Sequence, residues 1–293
     1  MKTKNGFTLL ESKEDVQKWL KSQKVTRTIS RLQVHHMDLP NYSTWEKTDK
    51  KVFSEPHFGR TQSLNDYGRR TWNYSDGHGK YIAQHFNVFP DGKITTGRNL
   101  NSTPIGIRGW NQNAICIEIY GKFDKGHDKM TKEQKQAVIY LYGELCKRFK
   151  IKPSTATIRP HCWFTASGSY LGTYNSSRSA KTCPGTAFWG KGCSKDGFAW
   201  FIKDIKDYVD SKKEEPKKEE PKDKEFKQYL VRVNTNGLNC RKGAGVNYAI
   251  ERVLNKGEVF TVVAEKQVNG GTWVKSKSGY WCNKKYVDFI RYV

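Results

Sequence analysis

The chain reads as an α/β domain, a mixed central sheet flanked by helices, followed by a small all-β barrel. Strand-like and helix-like runs alternate up to about residue 210, as they do in domains that pack helices on a sheet. A Lys/Glu/Pro segment, "SKKEEPKKEEPKDKE" over 211–225, has nothing to bury. Beyond it, short β runs recur at the turn-bounded spacing of small barrels. The expected organisation is therefore a first domain over 1–210, a charged linker over 211–225 and a β domain over 226–293.

In chain order, "SKEDVQKWLKSQ" predicts a helix with Ser12 as N-cap and Val16, Trp19 and Leu20 on one face. "SRLQVHH" alternates like a strand. "NAICIEIYG" is a second strand, with Ile115, Ile117 and Ile119 on one face. A long helix follows. Thr131 and Gln134 have the spacing of a capping box, Ala137, Val138, Leu141 and Leu145 form an apolar stripe, and Pro153 lies past the end. "GFAWFIKDIKDYV" predicts a closing helix. After the linker come "QYLVRV", "GLNCR", "AIERVL", "EVFTVVAEK", "TWVKSK" and "GYWCN", all strand-like.

With 36% hydrophobic and 13% aromatic residues among 293, the composition is that of a globular protein large enough for two cores. No apolar run approaches the ~20 residues that span a bilayer, which argues against membrane insertion. The opening "MKTKNGFTLLESKEDVQKWL" has charges where a signal peptide needs an apolar stretch, so synthesis in a cytoplasm without encoded export is expected. Seven scattered cysteines, an odd number, argue against a disulfide framework. The net charge of +23 points to a polyanion or an anionic surface as partner. Nucleic acid, anionic membrane and an acidic cell wall all satisfy it. The linker does not account for that charge, because its six lysines balance six acids.

Cys183, in "SAKTCPG", reads as half of a disulfide, a nucleophile, a metal ligand or a small core residue. His35 and His36 end a strand and point to opposite faces: His36 shares a face with Leu32 and Val34, His35 with Gln33. One site uses only one of the two easily, and His35 is the better candidate; a structural histidine is the alternative. His161 follows a proline in "TIRPHCWF". Joined to His35 and Cys183, it completes a His, His, Cys set that suits tetrahedral Zn²⁺ with a fourth position open to water. Glu118 faces away from the isoleucine row. It lies either on a solvated face or in a cleft, where burial would raise its pKa towards the range useful for acid–base chemistry. Lys181 is either one more surface lysine or, two residues before a ligand, a positive charge where an oxyanion develops.

"LQVHHMD", "QHFNVFPDGKI", "NAICIEIYGKF", "RPH" and "KTCPG", in that order, resemble the type-2 N-acetylmuramoyl-L-alanine amidases, a zinc family that shares its fold with the peptidoglycan recognition proteins. The resemblance covers about residues 10–205. It implies that His35, His161 and Cys183 hold zinc, that Glu118 is the family's acid and that Lys181 is its lysine. One departure is the 22 positions from His161 to Cys183, usually a short loop; "CWFTASGSYLGTYNSSRSA" resembles an insertion beside the site. His85 is read as structural, and His57, His78 and His127 as solvated loop residues. The last part, about 227–293, resembles bacterial SH3-like wall-binding domains, through "LNCRKGAGVNY" and the closing "GYWCNKKYV"; Cys240 and Cys282 then read as core residues.

The resemblance implies a peptidoglycan hydrolase cutting between N-acetylmuramic acid and L-alanine, anchored to a wall whose anionic polymers fit the basic charge. With no export signal, it is most similar to an endolysin of a phage with a Gram-positive host. A Cys/His peptidase is one rival, although its cysteine usually precedes the histidine; Cys116 or Cys146 would restore that order. A non-catalytic peptidoglycan binder is the second. A nucleic-acid binder is the third, and no familiar module supports it.

Overall fold

A computed structural model of the chain describes residues 1–211, 226–268 and 271–293. The chain divides into two compact units, Met1–Glu215 and Pro216–Val293. Ser211 ends a helix, and the rest of the 211–225 segment expected as a linker lies outside the described residues.

The first unit is built on seven strands: β1 (Lys2–Lys4), β2 (Phe7–Leu10), β3 (Arg31–His36), β4 (Phe86–Val88), β5 (Ile94–Thr96), β6 (Ala114–Ile119) and β7 (Ile158–Pro160). They lie in the order β1-β2-β5-β4-β6-β3-β7. The β4, β6, β3 and β7 neighbours pair in parallel and the others antiparallel, so the sheet is mixed. Four longer helices accompany it: α1 (Lys13–Ser22), α2 (Pro56–Thr71), α3 (Lys132–Phe149) and α4 (Lys195–Ser211). Val16 and Leu20 of α1, the Ala137 to Leu145 stripe of α3, and Phe198, Phe201 and Ile205 of α4 form one core with Leu32, Val34, Ile115, Ile117 and Ile119.

Local signals set the helix starts. Ser12 Oγ accepts the Asp15 N–H at 3.2 Å. Thr131 Oγ1 accepts the Gln134 N–H at 3.0 Å, but the reciprocal half of the expected capping box is absent. The Gln134 amide instead donates to the carbonyls of Val88 and Tyr120, and the Thr131 N–H donates to Tyr42 Oη. A buried glutamine is thus used to tie α3 to the ends of β4 and β6, where the sheet's own hydrogen bonds stop.

Helix α2 packs near β2 through Phe58, in a separate small core with Phe7, Leu9 and Ile82. Its other buried side chains are polar. Thr61 pairs with Thr95 at 2.7 Å and Asn65 accepts the Tyr81 N–H at 2.7 Å. His57, expected to be a solvated loop residue, is instead buried in the first turn of α2, bonded to Asp91 at 2.9 Å and packed on Trp45 and Phe89. His78 and His127 are exposed, while His85 is fully buried in a structural setting.

The second unit is an all-antiparallel sheet of β8 (Tyr229–Val233), β9 (Leu238–Arg241), β10 (Ile250–Leu254), β11 (Val259–Val268), β12 (Gly271–Ser276), β13 (Trp281–Asn283) and β14 (Val287–Tyr292). Cys240 and Cys282 are fully buried in its core with Val231, Val262 and Val274. The chain runs one strand past "GYWCN", since β14 pairs with β8. Among the described residues, no helix is long and apolar enough to cross a membrane.

Candidate metal centre and cleft

The parallel strands converge on a cleft of about 630 Å³ near their carboxyl ends, the usual place for a site in a sheet of this kind. His35, Glu118, His161, Lys181 and Cys183 all line it. His35 and Glu118 arrive side by side because β3 and β6 pair in parallel with those two residues in register. His35 Nδ1 lies 3.8 Å from Glu118 Oε1 and 3.6 Å from Cys183 Sγ. His161 opens a tight turn directly after β7, and its ring centre is 5.0 Å from that of His35. One donor atom from each of His35, His161 and Cys183 lies within 4.8 Å of the others.

The 21-residue excursion between His161 and Cys183 does not displace Cys183, because the ends of the excursion are tied together. The Cys162 N–H donates to the Cys183 carbonyl at 2.7 Å. Within it, Phe164 and Tyr170 form an antiparallel bridge, and the Ala180 N–H returns to the Phe164 carbonyl. Trp163 is fully buried, its indole N–H on the Cys193 carbonyl at 2.7 Å. Outside, Arg159 stacks on Tyr170 at 3.8 Å and on Trp110 at 5.0 Å. After Cys183, Gly185 is required: a Cβ there would sit 2.2 Å from the Phe123 carbonyl oxygen, at a φ of +123°.

Burial holds His35 neutral, well below the ordinary imidazole range, helped by His161, His36 and Lys181. His161 is pushed down to about 4 by burial, then by Lys181 and His36. Both rings therefore keep a lone pair at neutral pH. Burial lifts Glu118 to about 8, and Lys181, exposed at the cleft edge, opposes the rise. The Cys183 thiol is raised by burial and by Glu118, while the His36 N–H at 3.3 Å and Lys181 favour its thiolate. Among the described residues, Glu118 Oε2 is buried with no partner. Two neutral imidazoles and a sulfur form a donor set that fits a cation of borderline softness, and the buried oxygen of Glu118 lies beside it.

Other groups stand near this set. Cys116 lies within reach of His35 and Glu118, a Cys–His proximity that the order of residues along the chain does not suggest. Its thiol is fully buried and raised by burial and by Glu118, so it is not presented to a substrate. Cys146 lies in the last turns of α3, likewise raised, to about 12. His36 faces away from His35 and accepts the Phe123 N–H at 3.1 Å, which fixes the loop after β6. Leu39, Leu64, Tyr67, Trp72 and Ile105 form an apolar part of the cleft wall that sequence reading did not find. Tyr67 and Trp72 belong to the C-terminal end of α2, whose mostly polar buried face carries little periodic signal.

The family model described as N-acetylmuramoyl-L-alanine amidase matches residues 25–186, which contain all five of these residues. No curated protein sequence matches the chain. Among solved structures, it is similar to the N-acetylmuramoyl-L-alanine amidase LysC from Clostridium intestinale URNW, with 16% identity over 61% of this chain and 91% of that one and a TM-score of 0.39. The endolysin amidase LysCS from the same organism gives 20% identity over 60% and 84%, with a TM-score of 0.35. Drosophila PGRP-LB gives 16% identity over 57% and 85%, with a TM-score of 0.39.

Proposed function

Because the chain belongs to the N-acetylmuramoyl-L-alanine amidase family, we propose that its first unit hydrolyses the amide joining the lactyl group of N-acetylmuramic acid to L-alanine in peptidoglycan. The observation that carries this reading is the meeting of His35, His161 and Cys183 beside the buried, half-unpaired carboxyl of Glu118 in one open cleft.

His35, His161 and Cys183 would hold zinc. Bound there, zinc supplies Lewis acidity towards the amide carbonyl and lowers the pKa of water to about 7. Glu118 takes the proton of the attacking water and delivers it to the leaving amine of L-alanine. In the metal-free site burial raises this carboxyl to about 8, and a cation bound beside it would draw it back towards the carboxylate that takes the proton. Lys181 supplies positive charge where the carbonyl oxygen becomes negative. The apolar wall excludes water from one side of the scissile bond.

The second unit serves as an SH3-like wall anchor that raises the local concentration of the enzyme near the bonds it cuts. Anionic wall polymers are its partners, in keeping with the net charge of +23. The protein acts as an endolysin on Gram-positive walls, made in the host cytoplasm and released at lysis. Digestion of purified Gram-positive walls tests this. New L-alanine amino groups without new reducing sugars, abolished by a chelator and restored by zinc, are the expected result. Binding without turnover would make the protein a peptidoglycan binder, and cleavage indifferent to chelation would remove zinc from the mechanism.

A further inference from the structure

We infer that Gln33 is a positioning residue that keeps the His35 proton on Nε2 and so reserves Nδ1 as the ligand atom. This rests on the reading of His35 as a metal ligand, and it concerns a residue two places earlier on the same face of β3.

The geometry leaves one assignment. The Gly106 backbone N–H donates to Asn111 at 3.0 Å, so the atom that accepts it is the Asn111 oxygen, Oδ1. Gln33 approaches that same oxygen at 3.0 Å and the Trp110 backbone carbonyl at 3.1 Å. Both are acceptors, so the Gln33 atom facing them is its NH₂ group. An amide orientation is ordinarily ambiguous, but here a backbone N–H and a backbone carbonyl anchor it. Gln33 Oε1 therefore faces His35 Nε2, at 3.3 Å. An oxygen there accepts only from a protonated nitrogen. The neutral ring carries its proton on Nε2 and turns the Nδ1 lone pair towards Cys183 and Glu118.

Gln33 is fully buried and His35 nearly so, which keeps water from replacing this contact. Partners that fix the far nitrogen of a ligating histidine set its tautomer and ring orientation, and their loss costs roughly 10–100-fold in metal affinity. Gly106 belongs to the same device. A Cβ there would fall 1.9 Å from Gln33 Oε1, so only glycine leaves the oxygen its place. Because Ile105 and Gly106 also line the cleft, the loop that forms its wall is the loop that orients the ligand.

The test uses full-length protein and two variants, Gln33→Leu and Gly106→Ala. The second disturbs the contact without removing the amide, should the first fail to fold. The His35 tautomer is read in metal-free protein from nitrogen–hydrogen couplings in histidine-labelled samples, and zinc affinity from competition with a chromophoric chelator. Wild type is expected to show a single Nε2–H tautomer. Each variant is expected to show mixed tautomers and zinc binding weakened roughly 10–100-fold. A purely structural glutamine would lower melting temperature without moving the tautomer. An Nδ1–H tautomer in wild type, or an unchanged tautomer with zinc affinity within about twofold in the folded variants, would overturn the inference. If wild type takes up no zinc, the metal reading falls, and the tautomer measurement still decides the role of Gln33.

Discussion

Glu118 stands directly opposite His35 in the parallel pairing of β6 with β3, Oε1 lying 3.8 Å from Nδ1, while Oε2 is buried without a partner among the described residues. A carboxyl held this way pays desolvation without a compensating hydrogen bond, a state that folding alone does not favour. Its position beside the donor set is the one that the proposed acid–base role requires. Glu118→Gln is expected to retain zinc, measured by metal analysis, and to lose activity by about 10²–10⁴-fold. Full activity in that variant would end the acid–base assignment.

Cys183 sits in the donor set and accepts the His36 N–H. Cys183→Ala is expected to lose more zinc affinity than the roughly 10–100-fold that removal of an outer partner costs. Activity on wall fragments should vanish with the metal. Retained stoichiometric zinc would remove Cys183 from the ligands.

His85 offers a pH prediction away from the donor set. Its Nδ1 accepts the Cys116 N–H at 3.0 Å and its Nε2 donates to the Ser102 carbonyl at 3.0 Å. Burial, then the Arg27 guanidinium, pushes it from 6.5 to about 3. The unfolded chain therefore takes up this proton first. Stability from neutral His85 is complete above about pH 6.5 and drains away as pH falls towards 3. Between pH 7 and 5, wild type should lose about 2 kcal/mol more than His85→Asn, by denaturant titration. Equal pH dependence would contradict the buried neutral state.

Trp163 anchors the excursion before Cys183, fully buried against Phe198 at a ring distance of 5.1 Å. Trp163→Ala should destabilise the first unit by about 3–5 kcal/mol. A loss below about 1 kcal/mol in chemical denaturation would show that the excursion is not held by its core.

The second unit has its own core, with Val231, Val262 and Val274 inside. Ending the chain before residue 216 is expected to weaken sedimentation with purified walls by at least about tenfold while leaving cleavage of a soluble muramyl peptide nearly unchanged. Undiminished wall binding would refute the anchor role.

Much of this protein is legible in its residues. The apolar stripe of α3, the Ser12 cap and the alternation in β3 and β6 are short-range patterns, and each element forms where its pattern lies. Helix α2 is the counterexample. Apart from Phe58, its buried side chains are His57, Thr61 and Asn65, satisfied by hydrogen bonds to Asp91, Thr95 and the backbone at Tyr81, so hydrophobic periodicity does not announce it. The burial of His57 follows from the same cause.

By itself, the sequence determined the type of its strongly patterned elements, α1, α3, α4, β3 and β6, and the kinds of chemistry available: two histidines, a thiol, an acid and a lysine at the ends of recognisable motifs. Only the tertiary structure decided that residues 35, 161 and 183 meet, which nitrogen of His35 faces the cleft, and that Glu118 lies beside it half-unpaired. The physical reason is range. Propensity and periodicity act over a few residues, whereas the site depends on the register between distant parallel strands and on hydrogen bonds such as those from Cys162 to Cys183 and from Gln33 to His35.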